Sequence, residues 1–262
     1  MVQGLSLTPT SLGIVLVEGD QADGVVLDHV IVDATAIEDR ASSRNADPVV
    51  AAVQRMRASA AADGHRLLAT GLTGGDYPAA GALRDELVGG HTDDEVVLVS
   101  QVHAANVLAW AVGRAMGCAT TALMSIDSET ATVSVVDTAA GRTVYVLGRS
   151  MHSPNATAVL TEMVTALDEQ QPRPDALFVV GSGVDIAAMT SHLRYAARIP
   201  VSAPEKPELA LARGAALSAI GATCPDLGYS QQPQHQTTAD VASAPALCGD
   251  PGQLVTAASG PA

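Results

Sequence analysis

Residues 68–87, LATGLTGGDYPAAGALRDEL, match residues 177–196, LFVVGSGVDIAAMTSHLRYA, in the second half of the chain. Each copy is a short apolar run closing on glycines, followed by apolar residues at helical spacing, the pattern of a buried strand that feeds a helix. A second pair, AWAVGRAMG at 109–117 and ARGAALSAIG at 212–221, recurs in the same order. An α/β unit has been duplicated, and one copy is expected in each half.

Working outward from the first copy, 12–17 (LGIVLV) and 24–33 (GVVLDHVIVD) read as strands joined by a tight turn over 18–23. Asp47 and Pro48 then open a helix, as cap and first-turn residue, with Val49, Val53, Met56 and Ala60 on one face. A strand at 67–72, a helix at 78–88, a strand at 95–100 and a helix at 102–116 complete the first half. The second half repeats the order: strands at 121–126, 131–137 and 143–147, a helix at 154–167, a strand at 176–180, a helix at 186–197, a short strand at 199–202 and a closing helix at 207–220. The expected organisation is lobe I over 1–117, lobe II over 118–222 and a disordered tail or linker over 223–262. That last stretch has no Arg or Lys and lacks apolar periodicity, so it buries too little to offset its chain entropy.

Composition narrows the partners. With 47% hydrophobic and 16% charged residues in 262, the chain can fill one or two compact lobes, built from Ala, Val, Leu and Ile because aromatics are only 2%. The net charge of −14 repels phosphate backbones and anionic headgroups, and a base-stacking surface has no aromatics to form it. Nucleic acid is therefore excluded as a default partner. The basic side is thirteen arginines against one lysine, Lys206, a usage that resembles a high-GC actinobacterial, mycobacterial-style genome. Cys118, Cys224 and Cys248 are odd in number and lack ligand-spaced histidines, which points to a reducing, cytoplasmic setting without a disulfide framework or zinc site. The most apolar stretches are broken by His103, Asn106 and Arg114 or by Asp185, short of the roughly 20 residues a membrane span needs. Membrane association is expected only through a partner or a longer C-terminal region.

Duplicated lobes of this strand and helix order resemble the actin-like ATPases: actin, sugar kinases and the DnaK-type chaperones. Residues 2–19, VQGLSLTPTSLGIVLVEG, line up without a gap on the chaperones' first phosphate motif, I-G-I-D-L-G-T-T-N-S, and the strand ending in E-G that follows it. Residues 124–136, MSIDSETATVSVV, line up on the second, F-D-L-G-G-G-T-F-D-V-S-I-L. The adenosine motif V-G-G-S-T-R-I-P falls on 180–187, VGSGVDIA, and the closing helix P-D-E-A-V-A-R-G-A-A on 207–216, PELALARGAA. The connecting helix A-A-A-L-A-Y-G is similar to 104–111, AANVLAWA, with one residue inserted. The resemblance covers 2–222 and implies a duplicated, ribonuclease-H-like, two-lobed fold. If a ligand enters the interlobe cleft, the residues expected to line it are Ser6, Thr8, Thr10, Ser125, Asp127, Thr130, Gly181, Ser182 and Asp185.

The resemblance fails at the chemistry. Family members use an Asp in each phosphate hairpin to organise Mg²⁺ and the attacking water, and glycines to bring backbone N–H groups to the phosphates. Here Ser6 and Ser125 stand at the aspartate positions, and a neutral hydroxyl is a poor substitute at a hard cation. Thr8 and Pro9 replace Gly-Thr, and Asp127, Ser128 and Glu129 replace three glycines, setting carboxylates where phosphates would sit. Ser182 replaces the second adenosine-loop glycine, Asp185 replaces the arginine that stacks on adenine, and Lys206 matches no phosphate-binding lysine.

Plainer readings stand beside these. A strand-to-helix turn accounts for Gly181, Ser182 and Gly183 as well as a phosphate loop does, and a solvated turn accounts for Asp127 and Glu129 as well as an acid/base pair does. The histidines show no ligand or triad pattern, and no serine sits in a G-x-S-x-G elbow. Neither a catalytic nor a metal-binding residue is assigned. The expectation is a non-catalytic actin-like domain, a pseudo-ATPase without a cofactor that binds a protein partner, with a homo-oligomer compatible. Its alternative is a divergent Mg-ATP ATPase in which Asp127 or Glu129 holds the metal.

Overall fold

The computed structural model describes residues 1–8, 11–18, 25–33, 48–89, 95–152 and 155–223. The expected turn over 18–23, the cap at Asp47 and the tail over 223–262 lie largely or wholly outside them; of the tail only Thr223 is described, and it ends the closing helix. The first half forms β1 (Val2–Leu7), β2 (Ser11–Val17), β3 (Val26–Asp33), α1 (Pro48–Ala62), β4 (Ala69–Gly74), α2 (Tyr77–Gly89), β5 (Glu95–Val99) and α3 (Gln101–Met116). The second forms β6 (Thr120–Ile126), β7 (Thr130–Asp137), β8 (Arg142–Ser150), α4 (Ala156–Asp168), β9 (Ala176–Gly181), α5 (Ile186–Ala196), β10 (Val201–Ser202), a 3₁₀ turn (Pro207–Leu209) and α6 (Ala210–Thr223).

The two sheets are copies of one topology. The first runs β3-β2-β1-β4-β5 and the second β8-β7-β6-β9-β10, each with an antiparallel meander joined to parallel strands. Helical spacing put Val49, Val53, Met56 and Ala60 on one face, and all four are buried there against Leu12, Ile14 and Leu16. Ser100, read as the end of a strand, instead caps α3, accepting the His103 N–H at 3.2 Å, and Gly117 closes that helix in the left-handed region. Leu7 pairs with Gly74 as Ile126 pairs with Gly181. Those glycines are therefore the equivalent positions, two residues out from the gapless sequence match.

A separate apolar cluster lies under α1 and α2 and another under α4 and α5, and a third joins the halves through α3 and α6. The joining helices are exchanged: α3 packs on β6 and β7, while α6 returns to β1 and β4. Small residues set the separation. A Cβ on Gly4 would lie 1.9 Å from the Ala212 carbonyl oxygen, and one on Gly71 2.0 Å from that of Ala215, so α6 rests directly on the sheet backbone. This contact explains the Ala and Gly crowding of the closing helix.

His103, in the first turn of α3, is held below its ordinary pKa of 6.5 by burial, which disfavours the charged ring. The unfolded chain takes up that proton more readily than the folded one, so stability is fully present above about pH 6.5 and declines as pH falls below it. The urea midpoint of the wild-type chain is expected to drop more between neutral and mildly acidic pH than that of His103→Gln. Equal drops would remove His103 as the cause.

Candidate functional site

The two hairpin turns matched to phosphate motifs have the same construction. Leu7 and Leu12 are the last pair of one ladder and Ile126 and Ala131 of the other, leaving four residues to turn each chain. The first residue of each turn donates its N–H to the carbonyl of the fourth, Thr8 to Ser11 and Asp127 to Thr130, both at 2.9 Å. The side chain of that first residue then fills the turn. Thr8 Oγ1 accepts the Ser11 N–H at 3.0 Å and donates to the Ser11 carbonyl at 2.9 Å. Asp127 Oδ1 accepts the N–H of Glu129 at 2.8 Å and of Thr130 at 2.7 Å, while Oδ2 accepts the Thr130 hydroxyl at 3.0 Å. An Asp at this position closes its own turn because its carboxylate reaches backbone donors two and three residues on.

The adenosine-type loop lies beside the second hairpin, because β6 and β9 are parallel neighbours. Gly181 has φ +154° and a Cβ there would sit 1.9 Å from the Ile126 carbonyl oxygen; Gly183 has φ +73°. Ser182 donates its N–H to that same oxygen at 3.3 Å. Asp185 caps α5, accepting the Ala188 N–H at 2.9 Å. Each of these residues therefore has a role in turning strand into helix.

Ser6 and Ser125 occupy equivalent ladder positions, one residue before each turn's last pair. Strand alternation puts Ser6 on the face of Gly4, towards α6, and Ser125 on the face of Leu123, which belongs to the joining cluster. Ser6 is 3% exposed, while Ser125 is half-buried. Leu209 lies over the neighbouring residue: its Cδ2 is 3.1 Å from where a Cβ would stand on Gly13, which pairs with Ser6. Beside Ser6 on β4, the buried Thr73 hydroxyl has no hydrogen-bond partner among the described residues. Thr10 lies outside the described residues. Lys206 contacts Nε2 of His29 on β3. No group of three His, Cys, Asp or Glu is gathered as for a metal among the described residues. No helix among them is long and apolar enough to cross a membrane.

Two features were not read from sequence: the Leu209 cover over Gly13, and a buried polar set in which Arg57 donates to Gln3 Oε1 at 3.1 Å and to Thr70 Oγ1 at 2.9 Å. The first has no local signature. The isolated Gln3 in an apolar run was a signal for the second.

Residues 1–229 match the family of unknown function DUF7159. The chain belongs to that family. No curated protein sequence matches it. Among solved structures, this DUF7159 chain is similar to the inorganic polyphosphate/ATP-glucomannokinase from Arthrobacter sp. strain KM, with TM-score 0.55 and 15% identity over 85% of this chain and 98% of that one. It is similar to the activator of the 2-hydroxyisocaproyl-CoA dehydratase from Clostridium difficile with bound ADPNP, at TM-score 0.52 and 13% identity over 89% and 99% of the two chains. The PilM-PilN type IV pilus biogenesis complex matches at TM-score 0.52 and 10% identity over 84% and 98%. At these identities the likeness is one of fold, and the DUF7159 chain has the two-lobed, actin-like α/β fold expected from its duplicated sequence.

Proposed function

We propose that this DUF7159 chain is a pseudo-ATPase, an actin-like body that serves as a protein-interaction or regulatory module and turns over no ATP. Asp127 carries the reading: its carboxylate takes the Glu129 and Thr130 N–H groups, the donors a glycine hairpin would offer a phosphate. A polyphosphate would have to displace the chain's own anion and remain near it. At about 4 Å that repulsion is about 4 kcal/mol per charge pair at an effective dielectric of about 20, or roughly a thousandfold in affinity.

Further support comes from Ser6, Ser125, Asp185 and Lys206. Ser6 and Ser125 supply no carboxylate for Mg²⁺, Leu209 covers the pair that includes Ser6, Asp185 is committed to a helix cap, and Lys206 lies against His29. The donor set does not fit a magnesium-bound nucleotide. A partner-binding role is in keeping with one fold neighbour, PilM, having been solved in complex with PilN. The alternative, a divergent ATPase with weak hydrolysis, draws on the neighbour solved with ADPNP.

Calorimetric titration with Mg-ATP separates the two. The wild-type chain is expected to give no saturable heat at millimolar nucleotide. Micromolar binding lost in Asp127→Ala would overturn the proposal and make Asp127 a ligand.

A further inference from the structure

β3 is the outer strand of the first sheet, and among the described residues most of its side chains are exposed on both faces, Val32 packing on the cluster under α1 and α2 and His29 meeting Lys206. Val26 and Val30 alternate with Leu27 and Ile31, and all four are exposed, as is Val25 just before the strand. Five of the twelve large apolar side chains exposed among the described residues thus fall within 25–31, which makes this a patch and not scatter. No described strand pairs with the outer edge of β3, so that edge presents a row of backbone donors and acceptors.

Edge strands are ordinarily protected by charge, proline or shortness. The matching outer strand of the second sheet, β8, also exposes Val144 and Val146, but it carries Arg142 and Arg149 and packs Tyr145 and Leu147 against the core, and β10 is two residues long. β3 has no Arg, Lys or Pro. The charge around it is acidic: Glu18 beyond the end of β2, Asp28 on the strand, and Glu205 and Glu208 flanking Lys206, which meets His29. An apolar edge with this rim selects an extended segment with basic flanks.

We propose that β3 is a docking edge for an extended segment of a partner protein, apolar at alternate positions and flanked by Arg or Lys, which joins the first sheet as an added strand. The inference rests on the interaction role proposed above and names its surface. The experiment is fluorescence anisotropy of the full chain with a labelled synthetic peptide of alternating Val and Thr between paired arginines. Saturable binding is expected, weakened about tenfold or more by high salt or by exchanging the arginines for glutamates. It should be lost in Leu27→Lys/Ile31→Lys, a surface variant whose thermal melt should match the wild type. If that variant melts early, Val26→Thr/Val30→Thr, which keeps β propensity and adds no charge, is expected to weaken binding severalfold. Absent binding, equal binding of the glutamate peptide, or unchanged binding in both variants overturns the proposal. So does a β3-dependent dimer of the chain alone, which would assign the edge to a second copy. Nucleotide binding is read separately, so saturable Mg-ATP heat with intact peptide binding would remove the pseudo-ATPase reading and leave the docking edge.

Discussion

Gly71→Val is expected to leave no cooperatively folded protein. Gly71 is buried in β4, and even the first added carbon would stand 2.0 Å from the carbonyl oxygen and 2.5 Å from the carbonyl carbon of Ala215. Those are helix backbone atoms, so relief requires moving α6 as a body, and α6 is equally tight on Gly4 of β1. Overpacking that side chains can absorb costs about 1–3 kcal/mol; a collision with two backbone elements should exceed about 4 kcal/mol, a large share of the roughly 5–15 kcal/mol available to a domain. Thermal unfolding followed by circular dichroism reads the result. Gly81→Ala in α2, where a Cβ meets nothing within 4 Å, is the control and should melt at or slightly above the wild type. A Gly71→Val chain melting within a few degrees of wild type would refute direct contact between α6 and the sheet.

Asp127→Gly is expected to create nucleotide affinity where the wild-type chain has none. The substitution removes the charge and frees the Glu129 and Thr130 N–H groups together. Asp127→Asn separates the two contributions, because its amide oxygen still accepts those bonds while the charge is gone. If occupancy of the donors dominates, only the glycine variant should gain, by about a hundredfold or more in Mg-ATP affinity. If repulsion dominates, both should gain, in line with about a thousandfold per charge pair. The lost turn bonds should destabilise Asp127→Gly by about 1–3 kcal/mol, visible as a lower melting temperature. A loss of affinity in the glycine variant, starting from measurable binding, would mean that Asp127 works for the nucleotide.

Much of the scaffold is legible in the sequence because its signals are local. Alternation and helical spacing place β2 to β10 and all six helices within a few residues, β1 being reached only through the phosphate-motif resemblance, and the duplicated motif anticipates two sheets of one topology. The role of Asp127 is also local, since an Asp three residues before Thr130 is a turn signal in its own right. Comparison with a nucleotide-binding motif obscures this by treating the residue as a replacement. Asp185 is similar: within V-D-I-A-A-M it is a helix cap first, and its standing where relatives carry an arginine is secondary.

What the sequence hides is long-range. Nothing in PEL tells that Leu209 will cover Gly13, because the approach depends on how a turn of the second half meets the sheet of the first. Nor does the apolar character of β3 distinguish a buried strand from an exposed one. GVVLDHVIVD reads like a core strand, and only the sheet order places it outermost.

The exchange of α3 and α6 has a consequence for synthesis. The strands of the first sheet leave the ribosome early, yet the helix that covers one face of β1 and β4 is encoded by residues 210–223. Until that segment emerges, Gly4 and Gly71 line an open trough on the face of the sheet opposite α1 and α2. The first lobe therefore cannot complete itself in order of translation, and its final packing waits on nearly the whole folded chain.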